Sequence, residues 1–121
     1  MKALGLRTTI YMVPDIAAAK EWYSKAFNTK PYFDEPFYVG FNIGGYELGL
    51  HPEEGDAKKG TNILSYWGVE NIREAFDELI KKGATERTPI TNVGGEIEVA
   101  TVLDPWENVI GIIYNPDFKL N

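Results

Sequence analysis

The sequence contains no cysteine and a single histidine, His51. The lack of cysteine excludes disulfides, thiolate metal sites, iron–sulfur clusters and cysteine nucleophiles. A metal site that needs two or three imidazoles cannot form within one chain that carries one histidine. The common cysteine-based and multi-histidine chemistries are therefore excluded for a single chain.

Long apolar runs and clusters of basic residues are also lacking. The longest apolar run, Val109–Tyr114, is far shorter than the ~20 residues of a membrane-spanning helix. Residues 1–7 lack the apolar core of a signal peptide. Basic residues occur at most in pairs such as Lys58-Lys59, and the net charge is −6. We therefore expect a cytoplasmic protein whose partners are neither nucleic acid nor a membrane.

The composition is that of an ordinary globular protein. Hydrophobic residues make up 44% of the 121 residues and charged residues 25%, values that do not indicate disorder. Three tryptophans, seven tyrosines and six phenylalanines supply enough apolar area for a packed core. We expect one domain over residues 1–121.

One pattern of secondary structure is predicted twice along the chain. Each half begins with a strand and continues with a helix, and Asp15 and Asn71 are the predicted N-caps of the two helices. Apolar residues of the two helices match at an offset of 56, and the last strands match at an offset of 62. The prediction is an α+β fold of two βαβββ modules, with approximate bounds 1–55 and 56–121.

The remaining strands follow from turn signals. Gly44-Gly45 predicts a hairpin turn between strands over residues 37–43 and 46–51. In the second half we predict a strand over residues 63–69 and only a short extended piece near residues 89–91. Later strands are predicted on either side of a turn over residues 104–108, at residues 96–103 and at Val109–Tyr114.

Two motifs resemble those of the vicinal oxygen chelate superfamily, which includes glyoxalase I, bleomycin resistance proteins and extradiol dioxygenases. Val13-Pro14-Asp15-Ile16 followed by Glu21-Trp22-Tyr23-Ser24-Lys25-Ala26-Phe27 is similar to the start of the family's first helix. Asp104-Pro105-Trp106-Glu107-Asn108 resembles the family's D-P-x-G-N turn. The likeness extends from Leu6 to about Asn115. Asn28 and Glu107 stand where the family has glycine, so a positive φ at Glu107 would carry strain.

The resemblance implies that the curved mixed sheets of the two modules form an open cup. Family enzymes hold a divalent metal with four side chains in this cup, taken from the first and last strand of each module. The family's motif places these ligands at Thr8, Gly49, Leu64 and Gly111. No histidine or carboxylate stands there, and only Thr8 has a side-chain oxygen. We therefore predict that the protein holds no metal and no cofactor.

Alternation along the strands predicts which side chains face the cup. If Gly49 and Gly111 face it, Leu48 and Leu50 pack under a helix, and the two glycines leave room for a flat ligand group or fit a bend of the sheet. Tyr38 and Trp106 are further aromatic candidates. The predicted ligand-binding residues are Thr8, Ile10, Met12, Tyr38, Glu47, Gly49, His51, Leu64, Tyr66, Trp106, Gly111 and Ile113.

The function predicted from these residues is binding of a small apolar or cationic organic molecule, as in a sequestering protein of the bleomycin-resistance type. A metal-dependent lyase, isomerase or dioxygenase of the same superfamily is one alternative. A metal-free enzyme is another, with His51 or Glu47 as its acid–base group. Both residues are equally compatible with a solvated strand end. We also expect a homodimer, because pairing would cover sheet edges and apolar surface.

Overall fold

The computed structural model describes residues 1–2, 4–55, 58–60 and 63–118. Its helices and strands follow one another in the order that the βαβββ prediction implies, with one helix and four strands in each half. In chain order they are β1 (Thr8–Val13), α1 (Ile16–Ala26), β2 (Phe33–Glu35), β3 (Tyr38–Ile43), β4 (Tyr46–Pro52), β5 (Tyr66–Gly68), α2 (Ile72–Lys81), β6 (Thr85–Gly94), β7 (Ile97–Leu103) and β8 (Val109–Tyr114).

The chain divides into two compact units, Met1–Lys58 and Lys59–Asn121, which we call module one and module two. The four-stranded sheet of module one has the order β1-β4-β3-β2, and that of module two has the order β5-β8-β7-β6. In each sheet the first strand runs parallel to the last, and the other pairs are antiparallel. The predicted α+β fold of two βαβββ modules is confirmed.

Strand register shows how closely the two modules correspond. Ile10 pairs with Gly49 in module one, and Tyr66 pairs with Gly111 in module two. The first members of these pairs are 56 residues apart and the second members 62, which are the two offsets of the sequence repeat. The repeat therefore reflects equivalent positions in the two sheets.

Helix α1 packs on one face of the sheet of module one. Asp15 caps it by accepting a hydrogen bond from the Ala18 N–H at 3.1 Å. Tyr23 is fully buried and stacks on Tyr11 of β1, with ring centroids 5.6 Å apart. The buried side chains of this module are Tyr11, Val13, Ala19, Tyr23, Val39, Phe41, Leu48 and Leu50.

Helix α2 packs in the same way in module two. Asn71 caps it by accepting a hydrogen bond from the Glu74 N–H at 3.0 Å. Ile72, Phe76 and Leu79 recur at helical spacing and are buried. They share the core with Ala84, Ala100, Val102, Ile110 and Ile112.

The other face of each sheet carries no helix of its own module, and we call it the open face. Along β1, Tyr11 and Val13 are buried, whereas Ile10 and Met12 are 50% and 46% exposed. Leu48 and Leu50 are buried under the helix, as alternation predicts. Glu47, Gly49 and His51 therefore belong to the open face of module one.

Several strand boundaries differ from those predicted. Strand β2 was not predicted, because Phe33-Asp34-Glu35 is too short and too charged to give a periodic signal. The piece near residues 89–91 is part of the ten-residue β6, whose alternation is broken by register shifts. The strand predicted over 63–69 is limited to Tyr66–Gly68, and Phe37 lies outside β3.

Of the residues that the structure describes, two adopt a positive φ without being glycine: Asn28 at 50° and Glu107 at 67°. Glu107 lies in the turn between β7 and β8, whose residue Asp104 is 3% exposed. Asp104 Oδ1 accepts hydrogen bonds from the Trp106 and Asn108 N–H groups, each at 2.8 Å. The turn is thus held by one buried carboxylate, and Glu107 takes the strained backbone conformation that the missing glycine implies.

Among the described residues, no helix is both long and apolar enough to span a membrane. The polar and charged sequence of residues 53–60 predicts a loop between the two halves, and Asp56 and Ala57 of this loop lie outside the described residues.

Candidate functional site

The open face of module one carries a carboxylate surrounded by hydroxyl groups. Glu47 of β4 lies beside Thr8 of β1 in the parallel strand register. The Thr8 hydroxyl donates a hydrogen bond to Glu47 Oε1 at 2.8 Å. Parallel pairing of the two strands therefore brings together two residues that are 39 positions apart in sequence.

Two tyrosines lie at the same carboxylate. The Tyr32 hydroxyl donates to Glu47 Oε2, and the Tyr38 phenol lies close enough for the negative charge of Glu47 to act on it. Tyr32 is held in place because its backbone N–H donates to the Gly40 carbonyl at 2.9 Å. Glu47 thus accepts hydrogen bonds from two hydroxyl groups, and we call Thr8, Tyr32, Tyr38 and Glu47 the Glu47 cluster.

These contacts shift the pKa values of the cluster. The hydrogen bond from Tyr32 lowers the pKa of Glu47, Thr8 and Tyr38 act in the same direction, and partial burial opposes them. Burial raises the pKa of Tyr38 to about 12, helped by the negative charge of Glu47. The hydrogen bond to Glu47 also raises the pKa of Tyr32. At neutral pH the cluster is one carboxylate anion with protonated phenols around it.

A pair of glycines makes room for this arrangement. Gly40 and Gly49 pair directly across β3 and β4. A Cβ atom on Gly40 would lie 2.7 Å from Glu47 Oε2, and one on Gly49 would lie 2.7 Å from Tyr38 Cζ. The space above Gly49 is therefore filled by the protein's own tyrosine ring rather than left open as a floor for a ligand.

Apolar and aromatic side chains surround the cluster on the same module. Ile10 and Met12 of β1 are about half exposed, and Phe37 is 63% exposed. The Phe33 ring lies 6.1 Å from the Tyr38 ring and 6.0 Å from the Phe37 ring, between centroids. Module one therefore combines a hydroxyl-bound carboxylate with exposed apolar surface.

His51, the other candidate acid–base residue, lies four positions beyond Glu47 along β4, opposite Met12. Its Nδ1 atom is 2.7 Å from the Pro52 carbonyl oxygen, and its Nε2 atom is 4.0 Å from Glu54 Oε1. These contacts are with its own strand end and the following loop. No hydrogen bond of the described residues joins His51 to the Glu47 cluster.

The predicted site residues of module two lie on or near the equivalent strands. Tyr66 of β5 is 39% exposed and lies beside Gly111 of β8. A Cβ atom on Gly111 would contact the Ser65 carbonyl oxygen and lie 2.8 Å from Tyr66 Cδ1. Leu64 precedes β5 and is 45% exposed. The close approach of β5 to β8 accounts for the glycine.

Two further predicted residues complete this module. Ile113 is a partly buried residue of β8, two positions beyond Gly111 on the same strand. Trp106 is partly buried in the turn between β7 and β8, where Asp104 accepts its N–H. The structure thus places Trp106 in a turn that is built around Asp104, whereas Ile113 belongs to the sheet.

The four positions of the expected metal site do not offer a set of ligands. Thr8 has the one side-chain oxygen among them, and its hydroxyl already donates to Glu47. Gly49 and Gly111 have no side chain, and Leu64 has no donor atom. Within the described part of the chain, no group of three or more His, Cys, Asp and Glu side chains is arranged to hold a metal ion. These residues do not fit the metal that the superfamily's enzymes use.

Sequence reasoning missed Tyr32. It stands between Pro31 and the unpredicted β2, where no periodic pattern places it on a sheet face. The contact with Glu47 arises from the path of the chain next to Gly40, a tertiary relationship. No local sequence pattern predicts this contact, whereas alternation along β4 predicts the sheet face on which Glu47 lies.

The family model of the glyoxalase/bleomycin resistance protein/dioxygenase superfamily matches residues 5–112. The search of curated proteins gave no match. Solved structures with the same fold include a glyoxalase-related enzyme from Fulvimarina pelagi. It has a TM-score of 0.79 and 15% sequence identity, with 98% of this chain and 94% of that chain covered.

Two further structures are similar over most of their length. A glyoxalase/bleomycin resistance protein/dioxygenase family enzyme from Burkholderia phytofirmans PsJN has a TM-score of 0.76 and 20% identity, covering 88% of this chain and 95% of that chain. The fosfomycin resistance protein FosX from Mesorhizobium loti has a TM-score of 0.72 and 15% identity, covering 96% of each chain. At these identities the similarity shows the fold alone.

Proposed function

Because this chain belongs to the glyoxalase/bleomycin resistance protein/dioxygenase superfamily, we propose that it binds a small apolar or cationic organic molecule without a metal ion. The binding surface is the open face of module one. The ligand is sequestered and no bond is broken, as in a resistance-type binding protein. The observation that carries the proposal is the Glu47 carboxylate, whose pKa is lowered by hydroxyl donors, beside exposed apolar side chains.

The cluster favours a cation over an anion. Each carboxylate oxygen has two lone pairs, and two of the four sites accept the hydroxyls of Thr8 and Tyr32. Two acceptor sites and the negative charge stay available to a ligand. The tyrosine rings add negative π-faces, which also attract organic cations. Ile10 and Met12 supply apolar surface for the carbon skeleton.

Binding is a better use of Glu47 than acid–base catalysis. A general base works best when its pKa lies near the working pH, whereas the hydrogen bond from Tyr32 lowers the pKa of Glu47 from an already acidic value. Two of its four lone-pair sites are also occupied by hydroxyl donors. For these reasons we place Glu47 in the role of an electrostatic anchor.

The test uses three aromatic probes of similar size: benzyltrimethylammonium, benzyl alcohol and benzoate. Binding is read at the open face of module one from the backbone amide NMR signals of Gly40 and Gly49. We expect the cation to shift these signals at the lowest concentration, the neutral alcohol less, and benzoate least. Added salt should weaken the effect of the cation.

Variants of two glutamates locate the effect. Glu47→Gln should weaken binding of the cation about tenfold, the equivalent of one charge-assisted contact. Glu21→Gln removes the same charge from the exposed surface of α1, where Glu21 pairs with Lys25, and should leave binding unchanged. Equal binding of the cation by wild type and Glu47→Gln would contradict the proposal.

The metal-free part of the proposal has its own test. Elemental analysis after dialysis should find no Zn, Ni, Mn or Fe near one equivalent per chain, because the four expected ligand positions lack donors. A near-stoichiometric metal that survives dialysis would favour the metal-dependent lyase, isomerase or dioxygenase instead.

We also propose that the chain forms a homodimer. Strands β1 and β2 lie at the edges of the sheet of module one, and the large apolar side chains of Phe33 and Phe37 are exposed at the β2 edge. A second copy would cover such surface. Sedimentation velocity at micromolar concentration should show a dimer, and a monomer alone would contradict this proposal.

A further inference from the structure

Strand β6, at the edge of the sheet of module two, contains a β-bulge. Glu86 pairs with Val102, but the next pair along β7 joins Thr88 to Thr101, so Arg87 is an extra residue in β6. A bulge of this kind turns its side chains away from simple alternation and is frequent next to binding sites. The bulge thus breaks alternation for two consecutive residues, Arg87 and Thr88.

Both bulge residues reach the same hydroxyl group. Arg87 Nη1 donates to Thr101 Oγ1 at 3.3 Å, and Thr88 Oγ1 lies 2.7 Å from the same atom. Thr88 Oγ1 also accepts the backbone N–H of Thr101 at 3.0 Å, which fixes its position. Thr101 is 2% exposed, so the two side chains are anchored on a buried group. The guanidinium of Arg87 is therefore held against the sheet.

This guanidinium has no acidic partner within the described part of the chain. Arg87 is half-buried, and a half-buried guanidinium is usually paired with a carboxylate. The chain has 18 acidic and 12 basic residues, so carboxylates are not in short supply. Arg73 of the same module is an exposed contrast, because it lies 3.6 Å from Asp77. Of the five N–H donors of Arg87, the hydrogen bond to Thr101 uses one.

The position of Thr101 places the guanidinium on the open face of module two. Its neighbours Ala100 and Val102 are fully buried in the core, so Thr101 projects to the opposite face. Across the sheet Thr101 pairs with Gly111, which pairs in turn with Tyr66. One row of the sheet thus carries a guanidinium anchor, a residue without a side chain, and a partly exposed aromatic ring.

We propose that Arg87, supported by Thr88 and Thr101, binds an oxyanion of an organic ligand on the open face of module two. The group is a carboxylate or a phosphoryl group, because the planar fork of a guanidinium matches the two oxygens of either. The exposed face of Tyr66 gives an aromatic ligand a surface along the same row. This site is distinct from the Glu47 cluster, which has the opposite charge.

The experiment follows the side-chain Nε–Hε signal of Arg87 by NMR while benzoate, phenylphosphonate or benzyl alcohol is added to the whole chain. The Arg87→Lys variant, which lacks that signal, assigns it. Both anions should shift it and the Thr101 amide signal in a saturable way, and the neutral alcohol should not. The tighter of the two anions identifies the group as carboxylate or phosphoryl. No shift of the Arg87 signal in the wild-type chain, or an equal shift with benzyl alcohol, would overturn the proposal.

Variants separate this site from the rest of the protein. Arg87→Gln should weaken binding of the preferred anion about tenfold or more. Arg73→Gln, the matched control on the exposed surface of α2, should bind as wild type does. Cation binding by the Glu47 cluster is followed at the Gly40 and Gly49 signals instead, so that failure of the Glu47 proposal and failure of this one are distinguishable. Unchanged anion binding by a folded Arg87→Gln chain would overturn the proposal.

Discussion

The ring of Tyr38 lies over Gly49, in the space that any side chain at position 49 would need. A Cβ atom there would lie 2.7 Å from Tyr38 Cζ and 2.9 Å from Tyr38 Cε1, both closer than real Cβ contacts. The negative charge of Glu47 in turn helps to raise the pKa of Tyr38. The missing side chain at position 49 therefore determines where the Tyr38 ring of the Glu47 cluster lies.

Alanine substitutions at three strand glycines should differ in their effect. Gly49→Ala and Gly111→Ala should each lower the free energy of unfolding by about 1–3 kcal/mol, because the new methyl group collides with Tyr38 or with the Ser65 carbonyl. Gly111→Ala should cost more, since backbone moves less readily than a ring. Gly68→Ala is the control, with no atom within 4 Å. Urea unfolding measures all three, and a Gly49→Ala chain as stable as Gly68→Ala would contradict the packing described.

Glu47→Gln should destabilise the fold at neutral pH by about 1 kcal/mol, the value of a hydrogen-bonded charge. The folded-state pKa of Glu47 is lowered by the hydrogen bond from Tyr32 relative to an unfolded value of about 4.3. Its contribution to stability is therefore fully present above that unfolded value and is lost as the pH falls through the lowered one.

Urea unfolding of wild type and Glu47→Gln over a range of acidic pH tests this dependence. The difference in unfolding free energy should be constant near neutrality and shrink in acid. Glu21→Gln, on the exposed surface of α1, should show little dependence. A difference for Glu47→Gln that grows in acid would show that the sign is wrong.

Tyr38 should ionise later than an ordinary tyrosine. Burial raises its pKa to about 12, and the charge of Glu47 acts in the same direction. Because the folded pKa is raised above the ordinary value of about 10, the protonated phenol stabilises the fold below about 10 and this contribution is lost as the pH rises towards 12.

Tyrosinate absorbance recorded directly after pH jumps measures this ionisation. The late-ionising step should be absent in Tyr38→Phe and should occur at lower pH in Glu47→Gln, where the neighbouring negative charge is removed. Tyr46→Phe, a variant of another tyrosine in the same module, should retain the late step. If the late ionisation step persists in Tyr38→Phe, it belongs to a different residue and the prediction is wrong.

Glu107→Gly should stabilise the protein. Glu107 has a φ of 67°, which costs a residue with a side chain about 1–2 kcal/mol, whereas glycine adopts it freely. Part of the gain is offset by the larger freedom of glycine in the unfolded chain, so the net increase should be about 0.5 kcal/mol. Glu107→Gln controls for the charge and should leave the strain in place. Thermal unfolding of the three chains provides the comparison, and a destabilised Glu107→Gly chain would contradict the strain.

Local signals in the sequence were sufficient for most of the fold. Asp15 and Asn71 cap the two helices, and both repeat offsets are confirmed by the pairs Ile10–Gly49 and Tyr66–Gly111. Such features depend on neighbours in sequence or on strict alternation, which a single chain displays. The same alternation placed Glu47 on the open face.

The outer strands were not predictable in the same way. Strand β2 has three residues, and bulges interrupt the alternation of β6, so neither gives a periodic signal. Tyr32 reaches Glu47, and Arg87 reaches Thr101, through contacts between strands that no local pattern encodes. The residues that give each open face its charge and hydrogen bonding could therefore not be predicted from local patterns in the sequence.

The bulged strand β6 indicates which part of such a fold can be changed to alter its ligand preference. In both modules the inner strands supply glycines and core residues, while the residue that reaches across comes from the periphery: Tyr32 beside β2 in one module and Arg87 in β6 in the other. An outermost strand borders one neighbour only, so lengthening it, shortening it or adding a bulge leaves the central pairing intact. Ligand preference could thus be redesigned by exchanging peripheral strands between relatives of this fold while the helix-covered core is left unchanged.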